Sequence, residues 1–151
     1  MTLGRLALIF VLLAAGIQLI RPARTNPPED ASHTLATKLA PPAAVAGTLE
    51  RSCKDCHSNR TEWPWYSGVA PVSWFVIHDV NEGRGKVNFS EWAGYSADDA
   101  HTKLNLMCEE VTRHDMPVFG YTAMHAGSAL TEADIKALCD WTKQAEQQVQ
   151  H

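Results

Sequence analysis

Cys53-Lys54-Asp55-Cys56-His57 is the stretch of this sequence that most strongly constrains its fold. Two cysteines separated by two residues, with a histidine directly after the second, form a C-x-x-C-H pattern. Just upstream, Val45 and Leu49 lie four residues apart and in helical register with the two cysteines. The spacing predicts a helix over residues 44–57 that carries both thiols and the imidazole near its end.

The C-x-x-C-H pattern is the attachment signature of a c-type haem. On one helical turn, the two thiols would add to the vinyl groups of a haem, and His57 would supply the proximal nitrogen to its iron. A thioredoxin-like C-x-x-C would need a βαβ setting and a cysteine at a helix start. A zinc site would need a second ligand pair at short spacing. We therefore expect one covalent haem c, bound through Cys53, Cys56 and His57.

The second axial ligand of such a haem is less tightly specified by the sequence. An iron that exchanges electrons with little rearrangement needs a sixth ligand, and methionine or histidine is the usual choice. Met116 follows a predicted helix at the start of a loop, where Pro117 fixes the backbone. Met116 is the expected ligand; His125, His78 and an open sixth position are the alternatives.

A proline and two glycines mark a further helix after the motif. Pro71 suits the first turn of a helix over residues 71–81, because its missing N–H has no partner at that position. Gly83 and Gly85 would then end this helix.

The remaining periodicity is also helical. Residues 96–99 (SADD) and 131–134 (TEAD) have the spacing of capping boxes and open two more helices. No stretch alternates convincingly with period two. The expected fold class is therefore all-α, with long loops at residues 58–70, 82–95 and 116–130.

Composition excludes several classes of protein. Hydrophobic residues make up 45% and charged residues 20% of the 151 residues, which argues against disorder throughout. The formal net charge is −4, and residues 25–151 contain 10 Lys and Arg against 17 Asp and Glu. A body this acidic is a poor candidate for binding nucleic acid.

The N-terminal residues resemble a targeting segment. A short basic stretch ending at Arg5 precedes an uncharged run that continues to Ile20, as in a signal peptide or an uncleaved membrane anchor. The run stays apolar beyond its small-residue site at residues 14–16, which favours a transmembrane signal-anchor over residues 1–20. This interpretation predicts a single-pass inner-membrane protein whose haem domain lies on the periplasmic side.

The rest of the chain divides into three parts. Residues 21–43 contain five prolines and predict a proline-rich spacer. The haem-binding domain is expected over residues 44–143, and residues 144–151 predict a frayed polar tail.

Several short blocks, in order along the chain, resemble a known family. The chain is similar to the small c-type monohaem haem-binding domain of exported bacterial proteins. The blocks that carry the resemblance are 53–59 (CKDCHSN), 63–67 (WPWYS), 70–74 (APVSW), Gly83-Arg84, 88–92 (NFSEW), Met116-Pro117, Tyr121, His125 and 129–132 (ALTE). The resemblance implies a cytochrome-c-like helical domain wrapped around one covalent haem, often tethered to a membrane.

Cys108 and Cys139 depart from that family pattern. A disulfide between them would close a loop of roughly 30 residues and contribute about 3 kcal/mol. Two buried free thiols explain the sequence nearly as well.

An aromatic block and one arginine are further candidates for haem contacts. Trp63, Trp65 and Tyr66 are expected to cover the haem edge, where their N–H and O–H groups could donate to propionates. Arg84 could pair with a propionate through two parallel hydrogen bonds.

Three functions compete at this point. The first is a His57/Met116-ligated electron carrier that serves redox protein partners, within or beside a larger membrane complex. The second is a haem-based sensor or small-ligand binder with an open or displaceable sixth site. The third, a peroxidase-like enzyme, is disfavoured because no residue has a sequence setting that argues for a distal base. We expect an electron carrier and not an enzyme.

Overall fold

The computed structural model describes residues 2–149, whose regular secondary structure is entirely helical, with no β-strand among them. This confirms the predicted all-α fold class. The α-helices in this part of the chain are α1 (Leu3–Ile17), α2 (Leu35–Leu39), α3 (Ala43–Ser52), α4 (Lys54–His57), α5 (Val72–Lys86), α6 (Ala97–Thr112), α7 (Phe119–Met124) and α8 (Glu132–Val149). Three short 3₁₀ segments, Ala31–His33, Trp65–Gly68 and Phe89–Gly94, lie between them.

Both predicted N-terminal caps are present, and the one at α8 is a complete capping box. The Ser96 hydroxyl accepts the Asp99 backbone N–H at 3.1 Å and starts α6. At α8, Thr131 Oγ1 accepts the Asp134 N–H at 3.2 Å, and Asp134 Oδ2 accepts the Thr131 N–H at 2.9 Å. These reciprocal bonds satisfy N–H groups that the first turn of a helix otherwise leaves free.

The core forms where α6 packs along α8 and α3 packs against the start of α8. Its most buried large side chains are Leu35, Leu104 and Leu138, each 2% exposed or less. Arg51 on α3 also forms an ion pair with Asp134 on α8 at 2.7 Å. Hydrogen bonds from the Thr131 N–H and from Arg51 lower the pKa of Asp134 below its usual range, so this carboxylate stays charged and holds the two helices together.

A disulfide between Cys108 and Cys139 joins α6 to α8, with their Cα atoms 4.8 Å apart. The sequence left open whether these thiols pair, and in the structure they do. The bond reinforces the contact between the two longest helices of the core.

Helix α5 differs from its prediction because it continues through both glycines to Lys86. Gly83 is buried inside the helix, and a Cβ atom there would lie 2.5 Å from the Cys56 carbonyl oxygen. Its missing side chain therefore serves a close approach between α5 and α4 instead of ending the helix.

The prediction of a transmembrane anchor is wrong, and so is the single-pass inner-membrane localisation that was based on it. Helix α1 has 15 residues and spans roughly 22 Å, against a hydrocarbon core of about 30 Å. Within residues 2–149, no helix has both the length and the hydropathy needed to cross a bilayer. The helix ends before Gln18, whose side-chain amide exchanges two hydrogen bonds with the backbone of Ala70 at 2.9 and 3.0 Å.

The residues predicted as a spacer make specific contacts with the rest of the chain. Leu35 and Leu39 belong to the core. Residues 24–29, which we call the N-terminal strap, run beside the segment that follows the C-x-x-C-H motif. Asn26 Nδ2 donates to the Thr61 carbonyl at 2.9 Å.

At the other end of the chain, helix α8 continues to Val149 and includes most of the predicted polar tail. Residues 1, 150 and 151, at the ends of the predicted anchor and tail, lie outside the described residues.

Candidate functional site

The C-x-x-C-H motif forms a single helical turn. Cys53 has non-helical backbone angles (φ −127°, ψ −33°), so the predicted helix over residues 44–57 is divided into α3 and α4. The Cys53 carbonyl accepts N–H bonds from Cys56 at 3.2 Å and from His57 at 3.0 Å. Both thiols are free, and both are partly buried.

A cavity of about 470 Å³ lies beside this turn. Its volume falls within the range of roughly 300–1,000 Å³ that is typical of small-molecule and cofactor sites. Its walls come from α4, α5, α6, α8 and the segments that follow α5 and α6. Among the lining residues are Cys53, Cys56, His57, His78, Gly83, Val87, Phe89, Leu106, Met107, Val111, Met116, Val118 and Leu138.

The imidazole of His57 is held from its Nδ1 side. Nδ1 lies 3.0 Å from the Gly83 carbonyl and 3.1 Å from the Val87 carbonyl. Because both neighbours are acceptors, Nδ1 carries the proton and donates it, which leaves the Nε2 lone pair for a metal. Burial lowers the pKa of His57 and favours the neutral ring. Phe89 stacks on this ring, with centroids 5.8 Å apart.

The two thiols lie in surroundings that disfavour charge. Burial raises the pKa of Cys53 to about 12 and that of Cys56 to about 11. The negative charge of Asp79 contributes to the shift at Cys56. Both groups are therefore protonated thiols near neutral pH.

Met116 lines the same cavity as His57. Helix α6 ends at Thr112, and His114 adopts a left-handed backbone conformation with φ of 58°. The Met116 N–H then donates to the Glu110 carbonyl at 3.3 Å, which holds the chain against the end of α6.

The two histidine alternatives to Met116 lie in different places. His78, on α5, lines the cavity. His125 does not line it, and instead stacks on Tyr121 with ring centroids 4.0 Å apart. The Nδ1 atom of His125 lies 3.0 Å from the Tyr121 carbonyl.

The structure does not bring the aromatic block to the cavity. Trp63 Nε1 donates to Asn26 in the N-terminal strap at 3.2 Å. Trp65 is 80% exposed. Tyr66 packs edge-on against His125, with centroids 6.5 Å apart.

Arg84 also points elsewhere, since its N–H groups already have partners. Four of its five donors bind the Ser58 carbonyl (2.7 Å), the Thr25 carbonyl (2.7 Å), Asn26 Oδ1 (2.9 Å) and Thr61 Oγ1 (2.8 Å). The guanidinium therefore joins the N-terminal strap to the residues just after the motif.

The sequence did not predict a hydrogen bond between Tyr121 and the motif residue Asp55. The Tyr121 hydroxyl on α7 donates to Asp55 Oδ2 at 2.9 Å, and Asp55 lies between the two cysteines. Burial and the Asp55 charge raise the pKa of Tyr121, so it remains a donor. Tyr121 was one of the residues in the family blocks, but its partner 66 residues away left no local pattern to detect.

The residues around the cavity fit a haem. Two unpaired thiols, a histidine with a free Nε2 and a largely apolar wall surround one space of suitable size. Cys108 and Cys139 are bonded to each other, so they cannot complete a four-ligand zinc site with Cys53 and Cys56.

The fold and the site together define an all-helical haem-binding protein. A model of the haem-binding domain family matches residues 12–144, so the chain belongs to that family. No curated protein and no solved structure matches the chain.

Proposed function

We propose that this protein is a monohaem c-type cytochrome that carries single electrons between redox protein partners. In this proposal Cys53 and Cys56 would bind the haem covalently, and His57 and Met116 would bind its iron. One observation carries the proposal: both thiols, the imidazole and the thioether line one cavity. A haem held there supplies a one-electron couple between ferrous and ferric iron.

His57 is kept in one tautomer and one orientation by two backbone carbonyls. The hydrogen bonds from Nδ1 to Gly83 and Val87 prevent the ring from turning and make Nε2 a stronger electron donor. Both acceptors lie at the end of α5, so the helix that forms one wall of the cavity also positions the ligand.

Met116 is positioned by the elements on either side of it. Its N–H is bound to the end of α6, and α7 is anchored to the motif by the Tyr121–Asp55 hydrogen bond. A thioether ligand favours ferrous iron and raises the reduction potential. A ligand fixed at both flanks also limits the rearrangement that accompanies electron transfer.

The charge of the protein suggests the kind of partner. An excess of carboxylates attracts a partner with a basic surface and speeds diffusional encounter, at the cost of sensitivity to salt.

The test is the visible spectrum of the reduced full-length protein, produced with a haem-attachment system, before and after adding carbon monoxide. We expect haem that is covalently linked to Cys53 and Cys56. We also expect a low-spin spectrum that carbon monoxide leaves unchanged, because His57 and Met116 would both bind the iron.

Other spectra would change the conclusion. A prompt shift would contradict stable Met116 ligation and favour a haem-based sensor with a displaceable sixth ligand. Absence of covalent haem would contradict the c-type assignment.

A further inference from the structure

The charged residues along the cavity are separated into two ends. On α5, Asp79 and Glu82 line one end and Lys86 lines the other. On α6, Lys103 and Glu110 are similarly separated by about two helical turns. The cavity thus has an acidic end and a basic end.

The two lysines meet at the basic end. Lys103 Nζ donates to the Lys86 carbonyl at 2.7 Å and lies 4.4 Å from the centroid of the Tyr95 ring. These contacts hold the Lys103 ammonium at the junction of α5 and α6, beside the point where the Lys86 side chain leaves α5.

The motif turn packs against the middle of α5. Cys56 contacts Gly83, which lies four residues after Asp79 and three before Lys86. Asp79 and Lys86 are seven residues apart on α5, which corresponds to about 10 Å along the helix axis. That separation is comparable to the width of a porphyrin.

Haem has its vinyl groups and its two propionates on opposite edges of the ring. A haem joined to the two motif cysteines would therefore hold its propionates at the edge away from the motif. Among the residues that line the cavity, Lys86 and Lys103 carry the ammonium groups that would receive them. Arg84 is not available to receive them, because its donors are bound to the N-terminal strap and to residues 58–61.

We propose that Lys86 and Lys103 bind the propionates of the haem and fix its orientation in the cavity. This inference rests on the proposed function and adds two binding residues that neither the motif nor the family blocks contain. Ion pairs between ammonium groups and propionates, strengthened by hydrogen bonds, would neutralise the anionic edge where it leaves the apolar wall.

The first test uses the full-length holoprotein and the propionate-bending band of its resonance Raman spectrum, which reports ion pairing and hydrogen bonding of the propionates. We expect this band to shift in Lys86→Met/Lys103→Met. The matched control is Lys136→Met/Lys143→Met, which removes two lysines of α8 that do not line the cavity and should leave the band unchanged. An unshifted band in the cavity variant would overturn the proposal.

A second test does not depend on covalent attachment. In a full-length Cys53→Ala/Cys56→Ala background, the affinity for haemin is compared with that for haemin dimethyl ester, in which both propionates are blocked. The two lysine substitutions should weaken haemin binding by about tenfold and leave ester binding nearly unchanged. Equal losses for both ligands, or no loss for haemin, would overturn the lysine assignment.

The two proposals can fail separately. A chain that attaches no haem covalently contradicts the c-type assignment, yet it still supports the lysine proposal if the two lysine substitutions weaken binding of haemin and not of its ester. A covalent holoprotein in which the lysine substitutions make no difference supports the c-type assignment and contradicts the lysine proposal. Failure to bind haemin in any form would overturn both.

Discussion

At Gly83, a missing side chain sets the distance between α5 and the C-x-x-C-H turn. The Cys56 carbonyl occupies the space that a Cβ atom would need, and the Gly83 carbonyl accepts the proton of His57 Nδ1. The same residue thus determines both the packing of the motif and the orientation of its imidazole.

Gly83→Ala should therefore lower the free energy of unfolding by about 1–3 kcal/mol, because backbone atoms must move to admit the methyl group. Gly85→Ala is the matched control: nothing lies within 4 Å of the position that a methyl group would take there, and alanine should stabilise the same helix by about 0.5–1 kcal/mol. Denaturant unfolding of the two variants measures the difference. Equal effects at both positions would show that the close approach to Cys56 does not govern stability.

Met116→Ala removes the proposed sixth ligand. We expect the reduction potential to fall by on the order of 0.1 V, within the span of about 0.8 V over which axial ligands set haem potentials. Carbon monoxide should then bind the ferrous protein promptly. Potentiometry and the visible spectrum check both effects, with Met124→Ala, at an exposed residue of α7, as the control. If Met116→Ala keeps the original spectrum and potential, the ligand assignment moves to His78, which lines the same cavity.

The functional role of a residue could be predicted where its partners lie close to it in the sequence. Cys53, Cys56 and His57 lie within five residues, so the sequence displays their relation directly. The expected roles of Arg84 and Trp63 depended on neighbours that spacing cannot show. Both bind Asn26 in the N-terminal strap, more than 35 residues away.

At the scale of elements, α6 and α8 depend on one covalent bond as well as on packing. Removing it with Cys108→Ser/Cys139→Ser should lower the free energy of unfolding by about 3–4 kcal/mol, because the bridged residues are 31 positions apart and the bond restricts the unfolded chain.

Guanidinium unfolding of the wild type and the serine variant, with and without reductant, checks this value. Reductant should shift the wild-type midpoint toward that of the variant and leave the variant unchanged. Coincident midpoints without reductant would contradict a stabilising role for the bond. The visible spectrum should be the same in both proteins, since neither cysteine lines the cavity.

Helices with local start signals were predictable. The capping residues of α6 and α8 lie three positions from their partners, and both helices begin as expected. The full length of α5 could not be predicted, because glycine is compatible with two structures. It commonly follows the end of a helix, but in α5 Gly83 lies inside the helix and allows a close contact. The short helix α7 was expected as a loop, and tertiary contacts such as Tyr121–Asp55 hold it in place.

For the whole molecule, the excess of acidic residues predicts how the proposed electron carrier would react with small charged oxidants. The rate of oxidation of the reduced protein by cationic hexaammineruthenium(III) should fall several-fold as ionic strength rises from about 0.01 M to about 0.5 M, while the rate with anionic ferricyanide should rise. Stopped-flow measurements with the two oxidants separate charge effects from general salt effects. The same salt dependence for both reagents would argue against electrostatic steering.

The N-terminal part of the chain shows how far sequence reasoning extends at this scale. Its prolines and polar residues predicted a spacer, and its apolar run predicted an anchor. Hydrogen bonds join the strap to residues 59, 61, 63, 67, 84 and 90, and at residues 25, 28 and 61 the acceptor is a backbone carbonyl, which every residue possesses. Such bonds leave no compositional signal, so the spacer interpretation could not reveal the docked strap.

The disulfide also affects the order in which the chain must mature. Four thiols can pair in three ways, and only one of those pairings contains the Cys108–Cys139 bond. A bond from either partner to Cys53 or Cys56 would consume a thiol that the proposed haem attachment needs. Once α6 and α8 are joined, neither Cys108 nor Cys139 can pair with a motif thiol, and only a bond between Cys53 and Cys56 themselves still competes. Burial slows exchange at these two thiols by keeping them protonated. Under the proposed function, early oxidation of Cys108 and Cys139 therefore keeps both motif thiols available for the haem.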